Sequence, residues 1–265
     1  MDIRSLGFRT DVALLQKAGS VVEDRGTHLV VRTPDNPTYF WGNFILLGAP
    51  PVPGGEREVV GAFWTEFPTA AHVAIGIDGT EPPEDLTPWH DAGLTSEVCA
   101  VLTTERLVQP LAPAAEVEVR QLTTDDDWER WAMLGRAGYP NVSQGAFLAY
   151  ATARNDQERR LVEQGLGARF GAFLGDELVS AAAVFCPEPG LARFQTVETA
   201  GAHRRQGIGA SVVHAAGQHA LTDLAARTLV IVADVDGEAL GLYRRLGFTE
   251  TGRQVALELA APRWS

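Results

Sequence analysis

Two cysteines in 265 residues, Cys99 and Cys186, are too few and too far apart for a disulfide scaffold. The six histidines show no H-x-x-x-H spacing and no C-x-x-C pair occurs, so no metal site is expected. No apolar run approaches the roughly 18 residues that a membrane-crossing helix needs, and Met1 to Ser20 lacks the pattern of a secretion signal. Basic residues are in deficit as well. The net charge is −12, which argues against nucleic acid and against an anionic membrane surface, since both require a basic face. The expectation left standing is a metal-free cytoplasmic protein, a monomer or homodimer.

The composition, 45% hydrophobic and 21% charged, is that of a globular chain with enough apolar side chains for a sizeable core. Its length allows one large domain or two of ordinary size. Residues 1–112 carry a net charge of −8 and residues 113–265 a net −4, so arginines collect in the second half.

One stretch in that half organises the rest: V-E-T-A-G-A-H-R-R-Q-G-I-G-A, from Val197 to Ala210. Phe194, Thr196, Val197 and Thr199 suit a pleated, half-buried strand. Ile208, Val212, Ala215, Ala216 and Ala220 recur at helical spacing. Between them lie Arg204, Arg205, Gln206, Gly207 and Gly209. The first turn of a helix offers unpaired N–H groups and the positive end of a dipole, and so attracts anions. Glycines there let a phosphate approach the main chain, and arginines add charge-assisted hydrogen bonds. The glycines do not fit a P-loop, which needs Lys and then Ser or Thr after its last glycine. Nor do they fit a dinucleotide fingerprint, since they read G-x-G only.

Arg204-x-x-Gly207-x-Gly209 resembles the R/Q-x-x-G-x-G/A signature of the GNAT superfamily, the acyl-CoA-dependent N-acyltransferases. Val197-x-Thr199 resembles that family's fourth strand. Leu242-Tyr243-Arg244-Arg245-Leu246-Gly247-Phe248 is similar to its late L-Y-x-x-L-G-F segment. The resemblance implies an α/β (α+β) fold, a mixed and mostly antiparallel sheet flanked by helices, over residues 117–260. Residues 1–112 repeat a comparable order of elements without either motif. They look like a degenerate copy joined near Pro110 to Pro113 to residues 113–265, a tandem arrangement.

In the first half the pattern predicts a helix over Asp11–Ala18, strands over Thr27–Arg32 and Tyr39–Leu47, and a helix over Gly55–Glu66 with Val59, Val60, Phe63 and Trp64 on one face. Strands over Ala71–Ile77 and Val98–Thr103 follow, with a short helix near Trp89. Tyr39-Phe40-Trp41-Gly42-Asn43 could line a pocket, but packing is the better reading, and His28 and His72 are expected in strands as core or edge residues. In the second half a strand at Val117–Leu122 precedes a helix capped by Thr124, with Trp128, Trp131, Met133 and Leu134 as its buried stripe. Gly138-Tyr139-Pro140 interrupts it before a second helix. Strands Ala168–Leu174, Leu178–Phe185 and Leu191–Thr199 come next, then the glycine turn, a helix, a strand at Thr228–Ala233, a helix with Tyr243, and final strands over Thr249–Leu259.

What the resemblance implies chemically is acetyl transfer from acetyl-CoA to a primary amine of a small molecule, directly, with both bound at once. Val197, Thr199, Arg204, Arg205, Gln206, Gly207, Ile208, Gly209 and Ala210 would hold the CoA. Backbone N–H groups near Val197 to Thr199 would meet the thioester oxygen. Tyr243 would act as general acid, and Glu198 is the candidate base on the same strand, although alternation sets it on the face opposite Val197 and Thr199. Asp236 stands where the family often has Asn, which removes an amide donor there. A peptide or protein N-acetyltransferase, or a non-catalytic CoA-binding sensor, are the alternatives.

Overall fold

The computed structural model describes residues 1–111, 116–138 and 142–259, and it has the mixed α/β plan expected from the sequence. In chain order the elements are α1 (Leu6–Lys17), β1 (Val21–Asp24), β2 (His28–Arg32), β3 (Phe44–Leu47), α2 (Glu56–Glu66), β4 (Ala74–Ile77), α3 (Thr87–Asp91) and β5 (Leu94–Thr104). They continue with β6 (Glu118–Gln121), α4 (Asp125–Leu134), α5 (Gln144–Glu163), β7 (Gly167–Leu174), β8 (Glu177–Glu188), β9 (Leu191–Thr199), α6 (Ile208–Thr222), β10 (Thr228–Asp234), α7 (Ala239–Arg245) and β11 (Thr249–Leu259).

Two compact units share the chain. The first comprises Met1–Val101, Val232–Gly237 and the chain from Glu250 onward; the second comprises Leu102–Ile231 and Glu238–Thr249. The division therefore falls ahead of Pro110–Pro113, and most of β11 belongs with the N-terminal unit. Ala112 to Ala115, part of the expected linker, lie outside the described residues, as does Tyr139-Pro140.

In the first unit β1, β2 and β3 are antiparallel, β3 and β4 are parallel, and β11 runs antiparallel to β4 in the register Val255↔Ile77 to Glu258↔Ala74. Phe63, Val73, Ile75, Trp89, Val255 and Leu257 form one core cluster, and Phe8, Val12, Val31 and Phe44 form another. Asp78 anchors α1 by accepting from the N–H groups of Arg4 and Ser5, both at 2.9 Å. With Arg4 and Ser5 held by that buried carboxylate, the Ser5 hydroxyl caps the helix by accepting from Phe8 N–H, and it starts at Leu6, ahead of the expected Asp11.

The strand expected over Tyr39–Leu47 begins only at Phe44, because Phe40–Gly42 is a single 3-10 turn. Asn43 dictates this. Its side chain accepts from Thr33 N–H at 3.0 Å and donates to the carbonyls of Asn36 and Tyr39 at 3.0 and 2.9 Å, knotting the loop. Phe40 stacks on buried His72 at 4.1 Å and Trp41 packs on Phe44, so the aromatic cluster is packing. His72 precedes β4 and is not in a strand; burial holds its pKa down and keeps it neutral. Trp64 is 37% exposed and meets buried Phe63 edge-on, 5.6 Å between ring centroids, so it covers the core from its rim.

In the second unit β6, β7, β8 and β9 form antiparallel neighbours and β10 joins β9 in parallel. Both units thus contain a parallel strand–helix–strand crossover, β3–α2–β4 and β9–α6–β10. Helix α4 begins with a capping box: Thr124 Oγ1 accepts from Asp127 N–H, and the Asp127 carboxylate accepts from the N–H of Thr124. Its Trp128 and Trp131 pack on Phe173, Leu178 and Ala181, whereas Met133 is 42% exposed and lies off the expected stripe.

Candidate functional site

The stretch Val197–Ala210 folds as a strand end, a turn and a helix start within the second unit. Gly207 is the N-cap of α6 with φ of +82°, and no side chain caps that end. Arg205 also has positive φ, +58°, while Arg204 is extended. Residues of alternating hand turn successive N–H groups toward one side, which makes an anion-binding concavity continuous with the uncapped helix. Arg204 and Arg205 are exposed, and Arg204 Nε donates to the Thr199 carbonyl at 3.1 Å, tying the turn to the strand. Gln206 Nε2 donates back to Ala202 O at 3.1 Å.

Gly209 has a different use from the one its position suggests. It is buried, and a Cβ there would meet Thr199 Oγ1 at 3.1 Å and Leu242 Cδ1 at 3.6 Å. Its missing side chain lets α6 settle on β9. Ile208 is buried beside it, and Ala210 is half-buried.

Strand β9 is irregular where the site needs it. Against β8, Glu198 pairs with Ala181 and Gln195 with Ala183, so Thr196 and Val197 together oppose Ala182. This is a β-bulge, and Thr196 adopts φ of +44°, rare for a β-branched residue. The parallel ladder with β10 ends at Val230↔Arg193, and β9 runs on through Thr199 with that edge outside the ladder. Beyond the bulge alternation resumes. Thr199 Oγ1 lies 2.8 Å from Ser180 Oγ, on the side of Gly209, and Ser180 Oγ donates to the Glu198 carbonyl at 2.9 Å. The Glu198 carboxylate points the other way, over Gly135, where an added Cβ would approach it to 2.9 Å.

Tyr243 lies on α7, 5% exposed, with its ring 6.2 Å from that of Phe248. Burial pushes its phenol up to about 12, with Arg193 pulling the other way, so it is a protonated O–H throughout the neutral range. Asp236 is exposed.

Residues that spacing alone passed over also belong here. Arg169 is 1% exposed within β7, donates from Nη1 to the Thr196 carbonyl at 3.3 Å and from Nε to Glu158 at 2.7 Å. The available signal was a lone arginine inside an apolar strand, Gly167–Leu174. Ser180 gave no signal, since its role depends on the register of β8 against β9.

Residues 142–258 match the family model "Acetyltransferase (GNAT) domain". A search among curated proteins finds no match. Solved structures similar in fold include a GCN5-related N-acetyltransferase from Kribbella flavida, 20% identical, TM-score 0.64, covering 96% of this chain and 95% of that one. A tandem GNAT protein from the clavulanic acid biosynthesis pathway is 14% identical, TM-score 0.56, covering 90% and 82%. A functionally unknown conserved protein from Staphylococcus epidermidis is 13% identical, TM-score 0.70, covering 92% and 94%.

Proposed function

We propose that this chain, a tandem-fold protein whose residues 142–258 make a GNAT acetyltransferase domain, transfers an acetyl group from acetyl-CoA to a primary amine of a small molecule. The observation that carries the reading is the uncapped start of α6, with Gly207 at φ of +82°, set directly after a bulged strand. These residues fit a pyrophosphate: the helix N–H groups have no side-chain partner, and Arg204 and Arg205 flank them. Gln206, Gly207, Ile208 and Ala210 would supply the cradle, while Gly209 keeps α6 against Thr199. Val197 and Thr199 would offer backbone groups to the pantetheine arm.

When bound, acetyl-CoA supplies an activated acyl group and a thiolate leaving group. The Val197 N–H, at the bulge, would take the charge that develops on the thioester oxygen. Tyr243 would give its phenolic proton to the departing sulfur as the new C–N bond forms and the C–S bond breaks. Glu198 would accept the proton the amine loses, directly or through water, and water would return one to the phenolate. The net change is one amide and one free thiol per amine. The chain's net charge of −12 favours a cationic amine over an anionic acceptor.

A thermal-shift comparison tests the first half of this. CoA is expected to raise the melting temperature by mass action, and NAD and ATP at equal concentration are not; equal shifts for all three would remove the reading. Thiol release from acetyl-CoA across an amine panel tests the second half. Binding without release for any amine would leave a CoA-binding sensor.

A further inference from the structure

We infer that Arg169 is a positioning residue for this acyl transfer: its guanidinium holds the Thr196 carbonyl and thereby aims the Val197 N–H at the thioester oxygen. The inference rests on the acyltransferase reading above. It starts from a residue whose presence packing does not explain. Arg169 is buried to 1% exposure in a strand of small and apolar side chains, where an aliphatic residue would fill the space without the desolvation of a charge.

The guanidinium is held from three sides, although its buried Nη2 makes an ion pair and no hydrogen bond. Nε and Nη2 lie 2.7 and 2.5 Å from one carboxylate oxygen of Glu158 on α5. The Trp131 ring of α4 stacks on it, 3.8 Å from Cζ to the ring centroid. Glu158 and Trp131 fix it from two helices, and Nη1 is left to reach Thr196 O at 3.3 Å. Register explains the reach: Arg169 pairs with Ala183, and Ala183 pairs with Gln195, the residue just before the bulge.

The consequence follows from peptide geometry. The bond between Thr196 and Val197 is trans, so the carbonyl of one and the N–H of the other lie in one plane and point in opposite directions. Holding the carbonyl on the Arg169 side commits the N–H to the other side. Without that hold, a β-branched residue at φ of +44° has a strained backbone and an incentive to relax toward the ordinary β region, which would return the N–H to the plane of the sheet. Arg169 thus stabilises a conformation that the local sequence disfavours.

The test uses the full chain and carbonyl-labelled acetyl-CoA, read by infrared difference spectroscopy, alongside calorimetry for affinity. Removing both charges with Arg169→Met and Glu158→Leu avoids leaving an orphaned carboxylate; Glu158→Gln keeps Arg169 in place as the control. In the unaltered protein and in Glu158→Gln the thioester carbonyl band is expected at lower frequency than in free acetyl-CoA, because it accepts a hydrogen bond. In the double variant the band is expected back at the free position. CoA affinity should be unchanged, and thiol release with any accepted amine should be slower by about 10²-fold, the size expected for one displaced donor. A double variant with the same band as the unaltered protein overturns the inference, and so does an unaltered protein that binds acetyl-CoA with no band shift. Failure of the unaltered protein to bind acetyl-CoA at all overturns the functional reading instead. Should the double variant not fold, Arg169→Lys takes its place: it keeps a cation for Glu158 but lacks the planar fork that reaches Thr196, and the same two outcomes decide.

Discussion

At the scale of single residues, the site separates side chains that hold a conformation from those proposed to do chemistry. Gly207 is of the first kind. Its φ of +82° costs a side-chain-bearing residue about 1–2 kcal/mol, and a β-branched one more. Gly207→Val is expected to lower stability by about that amount and to abolish the CoA-induced rise in melting temperature; an intact rise would show that the α6 start is not the phosphate cradle. Tyr243 is of the second kind. Tyr243→Phe preserves the ring packing on Phe248 and removes only the O–H. Thiol release is expected to fall by about 10²–10⁴-fold with CoA affinity nearly intact. Because burial pushes the phenol up to about 12, the rate should show no descending limb from this group below pH about 11. An unchanged rate in the Phe variant would reduce Tyr243 to a packing residue.

Among the elements, α4 is the one whose stability is most legible in charge. Arg120 clamps Asp127 through two nitrogens at 2.9 and 2.7 Å, and the same carboxylate accepts from the N–H groups of Thr123 and Thr124. These bonds hold the Asp127 carboxyl far below the usual carboxylate range. A depressed folded pKa contributes stability that is present above the unfolded pKa, near 4, and is lost as pH falls below it. Asp127→Asn is therefore expected to cost about 2–3 kcal/mol at neutral pH and less in acid. Urea titrations at pH 7 and pH 3 measure it, and an equal loss at both would contradict the assignment. Helix α4 matters to the site because its Trp131 stacks on Arg169.

For the whole molecule, the two crossovers invite comparison of their turns. Before α6 stand two arginines and an uncapped helix end; before α2 stands Gly54-Gly55-Glu56, where buried Glu56 accepts from Gly54 N–H at 3.0 Å. A carboxylate of the chain already occupies a donor that a phosphate would need. Titration calorimetry is expected to give one CoA per chain, and a stoichiometry of two would refute the single-site reading. A division of the chain at 112 and 113 would separate β11 from the strand it pairs with. Val255 and Leu257 are 1% and 0% exposed in the core of the first unit. Residues 1–112 expressed alone lack the antiparallel partner of β4 and are expected not to fold cooperatively. Residues 113–265 alone expose those side chains and are expected to be poorly soluble. A fully active isolated second half would sink this.

The sequence by itself determined what depends on neighbours along the chain. The glycine turn, the helix that follows it, the strand Leu191–Thr199 and the cap at Thr124 rest on φ preferences, periodicity and local hydrogen bonds, and they stand where the residues put them. The two motifs that carry the resemblance lie within residues 142–258, the span that matches an acetyltransferase domain. Tertiary structure alone decided what depends on residues far apart. The loop at Asn43 replaced half of an apolar strand because its hydrogen bonds reach back to Thr33, and α1 began early because Asp78 holds the N–H groups of Arg4 and Ser5 and so sets Ser5 as its cap. Most of β11 joined the first unit because a strand goes where its ladder and its buried face are both satisfied, and sequence order does not encode either. The bulge at Thr196 is the sharpest case. Nothing in Gln195-Thr196-Val197 asks for a positive φ; a buried arginine two strands away, held by Glu158 and Trp131, provides the bond that stabilises it.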